Sequence, residues 1–123
     1  MMMVWGIQNV GLLVDTRYLT PGYGAVSADL TAIGFRATDE YAAGAMRVKH
    51  CTLTLDNDPI DYILRVNGED TALKVSLAPN ASEGQNLTDE VDLAPGDLIE
   101  LVAVKTGILV SGLVNALVSM EIR

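Results

Sequence analysis

Between Tyr62 and Leu77 the chain reads YILRVNGEDTALKVSL. Ile63 and Arg65 alternate with Leu64 and Val66, and after a polar break Leu73, Val75 and Leu77 alternate with Lys74 and Ser76. A period of two is that of strands with one dry and one wet face. At the break stands Asn67-Gly68, and both residues tolerate the positive φ that a two-residue turn demands, so the stretch predicts a β-hairpin. Glu69 to Ala72 either begin the return strand or lengthen the loop.

Val91 to Val104, VDLAPGDLIELVAV, reads the same way. Val91 and Leu93 lead into Ala94-Pro95-Gly96-Asp97, and Leu98, Leu101 and Val102 follow. Proline fixes φ at one turn position and glycine supplies the next, so strand, tight turn and strand predict a second hairpin. Two hairpins this close make the chain all-β.

These two strings carry a resemblance. LRVNGEDTALKVSL followed by LAPGDLIELVAV resembles a pattern of small tailed-bacteriophage structural proteins, in which a TLRxNGxDTALTVT hairpin precedes a VxVxxGDxIxL hairpin. In that family the pair lies in a jelly-roll domain similar to the tumour-necrosis-factor and C1q heads. The match runs from about Gly44 to Val104, and Asn67, Gly68, Asp70, Thr71, Ala72, Leu73, Gly96 and Asp97 coincide. The chain departs from it at Tyr62-Ile63 and in a more apolar C-terminal segment. The resemblance implies a virion surface role: a capsid decoration (cement) protein, with the receptor- or carbohydrate-binding head of a tail fibre or spike as the near neighbour.

The rest of the chain is punctuated in the same rhythm. A first strand is expected around Ile7 to Val14, with a candidate N-terminal arm within 1–12. Thr20-Pro21-Gly22-Tyr23-Gly24 is a turn cluster, and Ser27 to Ala37 alternates as a strand. Thr38 to Ala45 holds at most one turn of helix, since Gly44 would end it early; the resemblance favours a loop there. In Met46 to Leu55, Met46, Val48, His50, Thr52 and Thr54 share one face, and Arg47, Lys49, Cys51, Leu53 and Leu55 share the other. Asp56 to Pro59 closes this strand. Ala78 to Glu90 is the longest polar loop. After a turn at Lys105-Thr106-Gly107, Ile108 to Val114 is either a strand or a segment buried against another subunit. Finally Ala116, Val118, Met120 and Ile122 alternate with Leu117, Ser119 and Glu121 in a strand expected to be long and central. Turn signals about every 8 to 12 residues without a repeat predict one domain, 1–123: an antiparallel sandwich of about eight strands, which the resemblance implies is a jelly roll.

Composition excludes several function classes. A net charge of -8, with eight basic residues and no run among them, argues against a nucleic-acid partner. One cysteine rules out an intrachain disulfide. The start MMMVW has no basic n-region, and nowhere do eighteen apolar residues run together, so neither a signal peptide nor a membrane span is expected. Asn80-Ala81-Ser82 and Asn86-Leu87-Thr88 match the glycosylation sequon and read as loop residues.

Few residue groups carry the pattern of a reaction centre. His50 and Cys51, adjacent in a strand, point to opposite faces, beyond the reach a nucleophile needs to its base. With no second His or Cys there is no zinc set; both read as structural, and free cysteine is usually buried. Asp56, Asn57, Asp58 and Asp61 offer oxygens of the kind calcium takes, without the spaced ligands of an EF-hand, and aspartates and asparagines favour turns for their own backbone hydrogen bonds. Asp89, Glu90, Asp92, Asp97 and Glu100 are candidate paired carboxylates for glycoside hydrolysis, weighed against a solvated acidic face. Tyr18, Tyr23, Tyr41 and Tyr62 are candidates for a sugar-binding patch, weighed against core rim and subunit contacts. No catalytic, cofactor or metal site is assigned.

The expectation is a non-enzymatic brick for binding and assembly. Apolar surface at Ile108 to Leu117 and at the Met-rich start would be buried between copies, and the resemblance implies a homotrimer on the capsid surface, bound to the major capsid protein, assembled in the host cytoplasm, with no membrane partner. On the arm reading, deleting the first dozen residues leaves a folded trimer that no longer binds particles.

Overall fold

The computed structural model describes residues 1–8, 16–21, 35–52, 59–78, 81–105 and 113–123. These form β1 (Met2–Gln8), β2 (Thr16–Tyr18), β3 (Thr20–Pro21), β4 (Phe35–Arg36), β5 (Tyr41–Thr52), β6 (Ile60–Val66), β7 (Glu69–Leu77), β8 (Glu83–Asn86), β9 (Val91–Leu93), β10 (Leu98–Lys105) and β11 (Leu113–Ile122). Among the described residues there is no helix.

Every pairing is antiparallel, in two sheets. The first runs β3-β1-β11-β5-β8, with β9 also on β5; the second runs β2-β10-β6-β7, with β4 also on β10. β8 and β9 take consecutive stretches of one edge of β5, at Met46–Lys49 and Tyr41–Ala43, and β2 and β4 divide an edge of β10 in the same way. Each pair therefore fills one strand position, and with the short β3 set aside the described strands of each sheet fill four. Successive described strands lie in different sheets at almost every step, and among them only β6 and β7 are consecutive neighbours. That order is a jelly-roll sandwich, the fold expected from the sequence.

Alternation decides what lies between the sheets. Ala116, Val118, Met120 and Ile122 of β11 join Ile60, Tyr62 and Leu64 of β6 and Ile99, Leu101 and Ala103 of β10 in one apolar cluster, to which Trp5, Leu19 and Leu93 also belong. Leu117 and Glu121 look outward, and β11 is central between β1 and β5, as expected. The centre of the second sheet is buried on its other face too: Ile63 and Val102, register partners, and Glu100, opposite Arg65, are all buried.

Several expectations need correction. Pro95-Gly96 does not close a hairpin, because β9 belongs to the first sheet and β10 to the second; the turn is a corner between sheets. Tyr41 to Ala45 is neither helix nor loop but the start of β5, where Ala45 has φ 49 and one extra residue opposes β11 between Ser119 and Glu121. This bulge lets Ala43 and Met46 both point inward despite their odd spacing. Within the expected polar loop lies β8, whose Gly84 lets the backbone come close to β7: a Cβ there would stand 2.6 Å from Leu77 Cδ2. Thr20–Pro21 is not a turn but a two-residue edge strand beside Gly6. Residues 2–8, placed in the candidate arm, pair along their whole length with β11. Asp56 to Asp58, Tyr23 and Ile108 to Gly112 lie outside the described residues, as do most of the expected strand at Ser27 to Ala37 and of the first-strand expectation.

Candidate functional site

The matched motif gathers at one end of the sandwich. Asn67 (φ 54) and Gly68 (φ 83) form the two-residue turn between β6 and β7, and positive φ at both positions is the hairpin geometry that follows strand twist. Asn67 also reaches sideways: its Nδ2 donates to Asp97 Oδ1 at 2.9 Å, and its Oδ1 accepts from the Leu98 N–H at 2.9 Å. Asp97 accepts from the Ala94 N–H at 2.8 Å through Oδ2, which closes the second turn around Gly96 (φ 89). These two donors hold the Asp97 carboxyl below the usual carboxylate range. Around the same corner the Ala37 N–H donates to the Asp97 carbonyl, and the Gly96 N–H to the Ala37 carbonyl. Arg36 Nη1 donates to the Gly96 carbonyl at 2.9 Å.

The neighbouring motif residues are engaged likewise. Thr71 Oγ1 donates to the Leu64 carbonyl at 2.7 Å and accepts from the Leu73 N–H at 3.3 Å. It fills the place where β7 carries two more residues than β6, between the pairs Ile63↔Lys74 and Arg65↔Asp70. Asp70 accepts from Arg65 Nε at 2.6 Å across the hairpin. Asn67 and Asp97 thus join the hairpin to the intersheet corner while Asp70 and Thr71 brace the hairpin itself, and the motif is a fold signature before it is a binding surface.

His50 is buried and Cys51 exposed on opposite faces of β5, as strand alternation requires. The expectation of a buried cysteine is overturned, because Cys51 shares the outer face with exposed Arg47 and Lys49. His50 crosses the sandwich. Its Nδ1 lies 2.9 Å from Tyr62 Oη and its Nε2 3.1 Å from the Ala78 carbonyl oxygen, with the two rings edge to face. A carbonyl only accepts, so in the neutral ring Nε2 carries the proton and Nδ1 accepts from the tyrosine hydroxyl. Burial lowers the His50 pKa below its ordinary value, with hydrogen bonding to the backbone at Ala78 and Ala81 pulling the other way. Burial also raises the Tyr62 hydroxyl well above its ordinary value.

The candidate carboxylates are dispersed. Glu100 is buried in β10, its Oε2 without a hydrogen-bond partner. Asp89 accepts from Asn86 Nδ2 at 2.9 Å. Glu90 faces Arg123 at 3.5 Å, and Glu121 pairs with the same guanidinium at 2.9 Å. Asp92 and Asp97 share a depression of about 450 Å³ with Glu40, Tyr41 and Arg123. A second, open groove of about 650 Å³ runs between the sheet edges, over Val75 and Leu77 and past Lys74, Gln85 and Asn86. Asn86 spans it, donating to the Lys74 carbonyl at 3.1 Å and accepting from the Thr88 and Asp89 N–H groups. The amide of this sequon is therefore tied into a turn. Among the described residues no three His, Cys, Asp or Glu side chains come together as metal ligands.

Of the candidate sugar-binding tyrosines, Tyr62 is in the core and Tyr41 is half-buried, and Trp5 is in the core as well. The side chains of Tyr18 and Tyr23 lie outside the described residues. Sequence reasoning missed the link from Asn67 to Asp97, although an Asn-Gly turn and a Pro-Gly-Asp turn some thirty residues apart were its visible signal. Neither a protein-family model nor any curated protein matches the chain.

Proposed function

We propose that this chain is a virion structural protein, a capsid decoration (cement) protein that binds the outer capsid surface as a homotrimer and stabilises the shell. The observation that carries the reading is the internal use of the motif side chains: Asn67, Thr71 and Asp97 each hold backbone in place, and Asp70 pairs with Arg65 across the hairpin. A motif used in this way favours a rigid brick that works through its surface over a reaction centre. Its resemblance to tailed-phage strand patterns supplies the setting, with the major capsid protein as partner. The acidic balance of the chain suits display in many copies and disfavours nucleic acid. The fibre- or spike-head reading requires an exposed aromatic groove, and burial of Trp5 and Tyr62 takes two aromatics away from it.

Purified virions test the proposal. Decoration predicts copies of this chain in stoichiometric proportion to the shell protein, removed together with a loss of shell stability to heat. A handful of copies per particle, confined to the tail, would instead assign it to a fibre or spike.

A further inference from the structure

Asparagine is a thermally labile residue, and most so before glycine, where the next peptide nitrogen carries no side chain to hinder its attack on Cγ. Asn67 and Gly68 are both exposed, and nothing stands within 4 Å of the place a Cβ on Gly68 would take, so the turn is open on that side. Order along the chain thus makes this turn a chemical weak point, and the tertiary structure opposes it.

Asn67 is held at three points. Its N–H donates to the Leu98 carbonyl at 2.8 Å, its Oδ1 accepts from the Leu98 N–H at 2.9 Å, and its Nδ2 donates to Asp97 Oδ1 at 2.9 Å. Loss of the amide requires Cγ to rotate onto the Gly68 nitrogen, to become tetrahedral as the new bond forms, and to release Nδ2. An amide whose two ends are pinned to Asp97 and Leu98 is not free to make that rotation.

We propose that Asn67 is a guarded deamidation site: while Asp97 and Leu98 hold its amide the reaction with Gly68 is suppressed, and when that corner opens the residue converts irreversibly to aspartate or isoaspartate, neither of which can donate to Asp97. In the step the Gly68 nitrogen bonds to Cγ and gives up its proton, the Cγ–Nδ2 bond breaks, and ammonia leaves with that proton. Water then opens the cyclic imide, at Cγ to give aspartate or at the Asn67 carbonyl carbon to give isoaspartate, and nothing is oxidised or reduced. The aspartate keeps an acceptor for the Leu98 N–H, but a carboxylate oxygen stands where Nδ2 did, against Asp97 Oδ1, and like charges so close repel. The isoaspartate lengthens the main chain by one atom in a turn that depends on positive φ at both residues. Each molecule therefore keeps a chemical record of whether the joint between hairpin and intersheet corner has opened.

Liquid chromatography with mass spectrometry of the peptide spanning Asn67, which separates its asparagine, aspartate and isoaspartate forms, tests this on the full chain aged in neutral buffer, beside the same chain unfolded in urea and an Asp97→Ala variant. The folded wild type is expected to convert about thirtyfold more slowly than the unfolded chain, the factor that two net hydrogen bonds supply, and Asp97→Ala to convert about fivefold faster than wild type, the factor of one. Equal rates folded and unfolded, or a folded Asp97→Ala that converts no faster than wild type, overturn the proposal. Should Asp97→Ala not fold, amide exchange at Leu98 in the wild type decides. That N–H is bonded to Asn67 Oδ1, so guarding requires it to be protected to about the same degree as Asn67, and slow conversion beside an unprotected Leu98 N–H refutes the guard. Asn67→Asp installs one product directly and should melt below the wild type; an unchanged melt would refute the loss at the corner.

Discussion

Asn67 shows how one side chain fixes both a local turn and a distant one. Its φ of 54 is affordable for asparagine and glycine and costs other residues about 1–2 kcal/mol. Its amide also supplies the link to Asp97 and Leu98, worth about 1 kcal/mol per net hydrogen bond. Asn67→Ala should therefore destabilise the chain by about 2–3 kcal/mol in urea unfolding. Asn67→Gly, which keeps the turn and loses only the link, should cost less than the alanine. An equal loss in both would show that the link contributes everything and the turn conformation nothing. The turn itself was legible, since Asn-Gly between alternating runs has few other readings. The sideways reach was not, because it depends on where another turn thirty residues away comes to rest.

The strands divide by whether alternation survives in their composition. β6, β7 and β11 keep a clear period of two and were readable directly. β8 is Glu-Gly-Gln-Asn, an edge strand whose inward position is a glycine where an apolar residue would usually stand, so hydropathy had nothing to report. β5 hides its first half behind the bulge at Ala45, which resets parity between Ala43 and Met46. In β7 the irregularity is held by Thr71. Replacing it with valine keeps the shape and removes the hydroxyl, leaving the Leu64 carbonyl without that donor. Thr71→Val should cost about 1–3 kcal/mol of stability, measured by thermal denaturation. Faster amide exchange should be concentrated at Leu73, and unchanged exchange there would mean the hydroxyl is dispensable.

At the scale of the molecule, the N-terminal segment belongs to the sandwich. β1 brings fully buried Trp5 into the core and pairs with β11 from Met2 to Gln8. Loss of a buried tryptophan alone costs about 3–5 kcal/mol, a large share of the roughly 5–15 kcal/mol that holds a domain folded. Deleting residues 1–8 should abolish cooperative unfolding in circular dichroism melts, where an arm reading expects an intact fold. A cooperative melt retained by the truncated chain would show that β11 can close the sheet without β1. Particle-binding tests of the proposed function therefore belong on surface substitutions, with the whole chain kept.

Local covalent character settled a good deal by itself. Alternating side chains must face opposite sides of a strand, asparagine and glycine tolerate positive φ, and proline with glycine bends the chain, so strand content, the Asn67-Gly68 turn and the inward set of β11 followed from order along the chain. Which strands became neighbours did not, because a turn at Pro95-Gly96 can return to the same sheet or cross to the other, and the choice rests on which apolar faces meet across the core. The same packing decided that β1 is a strand and not an arm, that polar β8 closes an edge against Leu77, and that His50 is answered by Tyr62 from the opposite sheet.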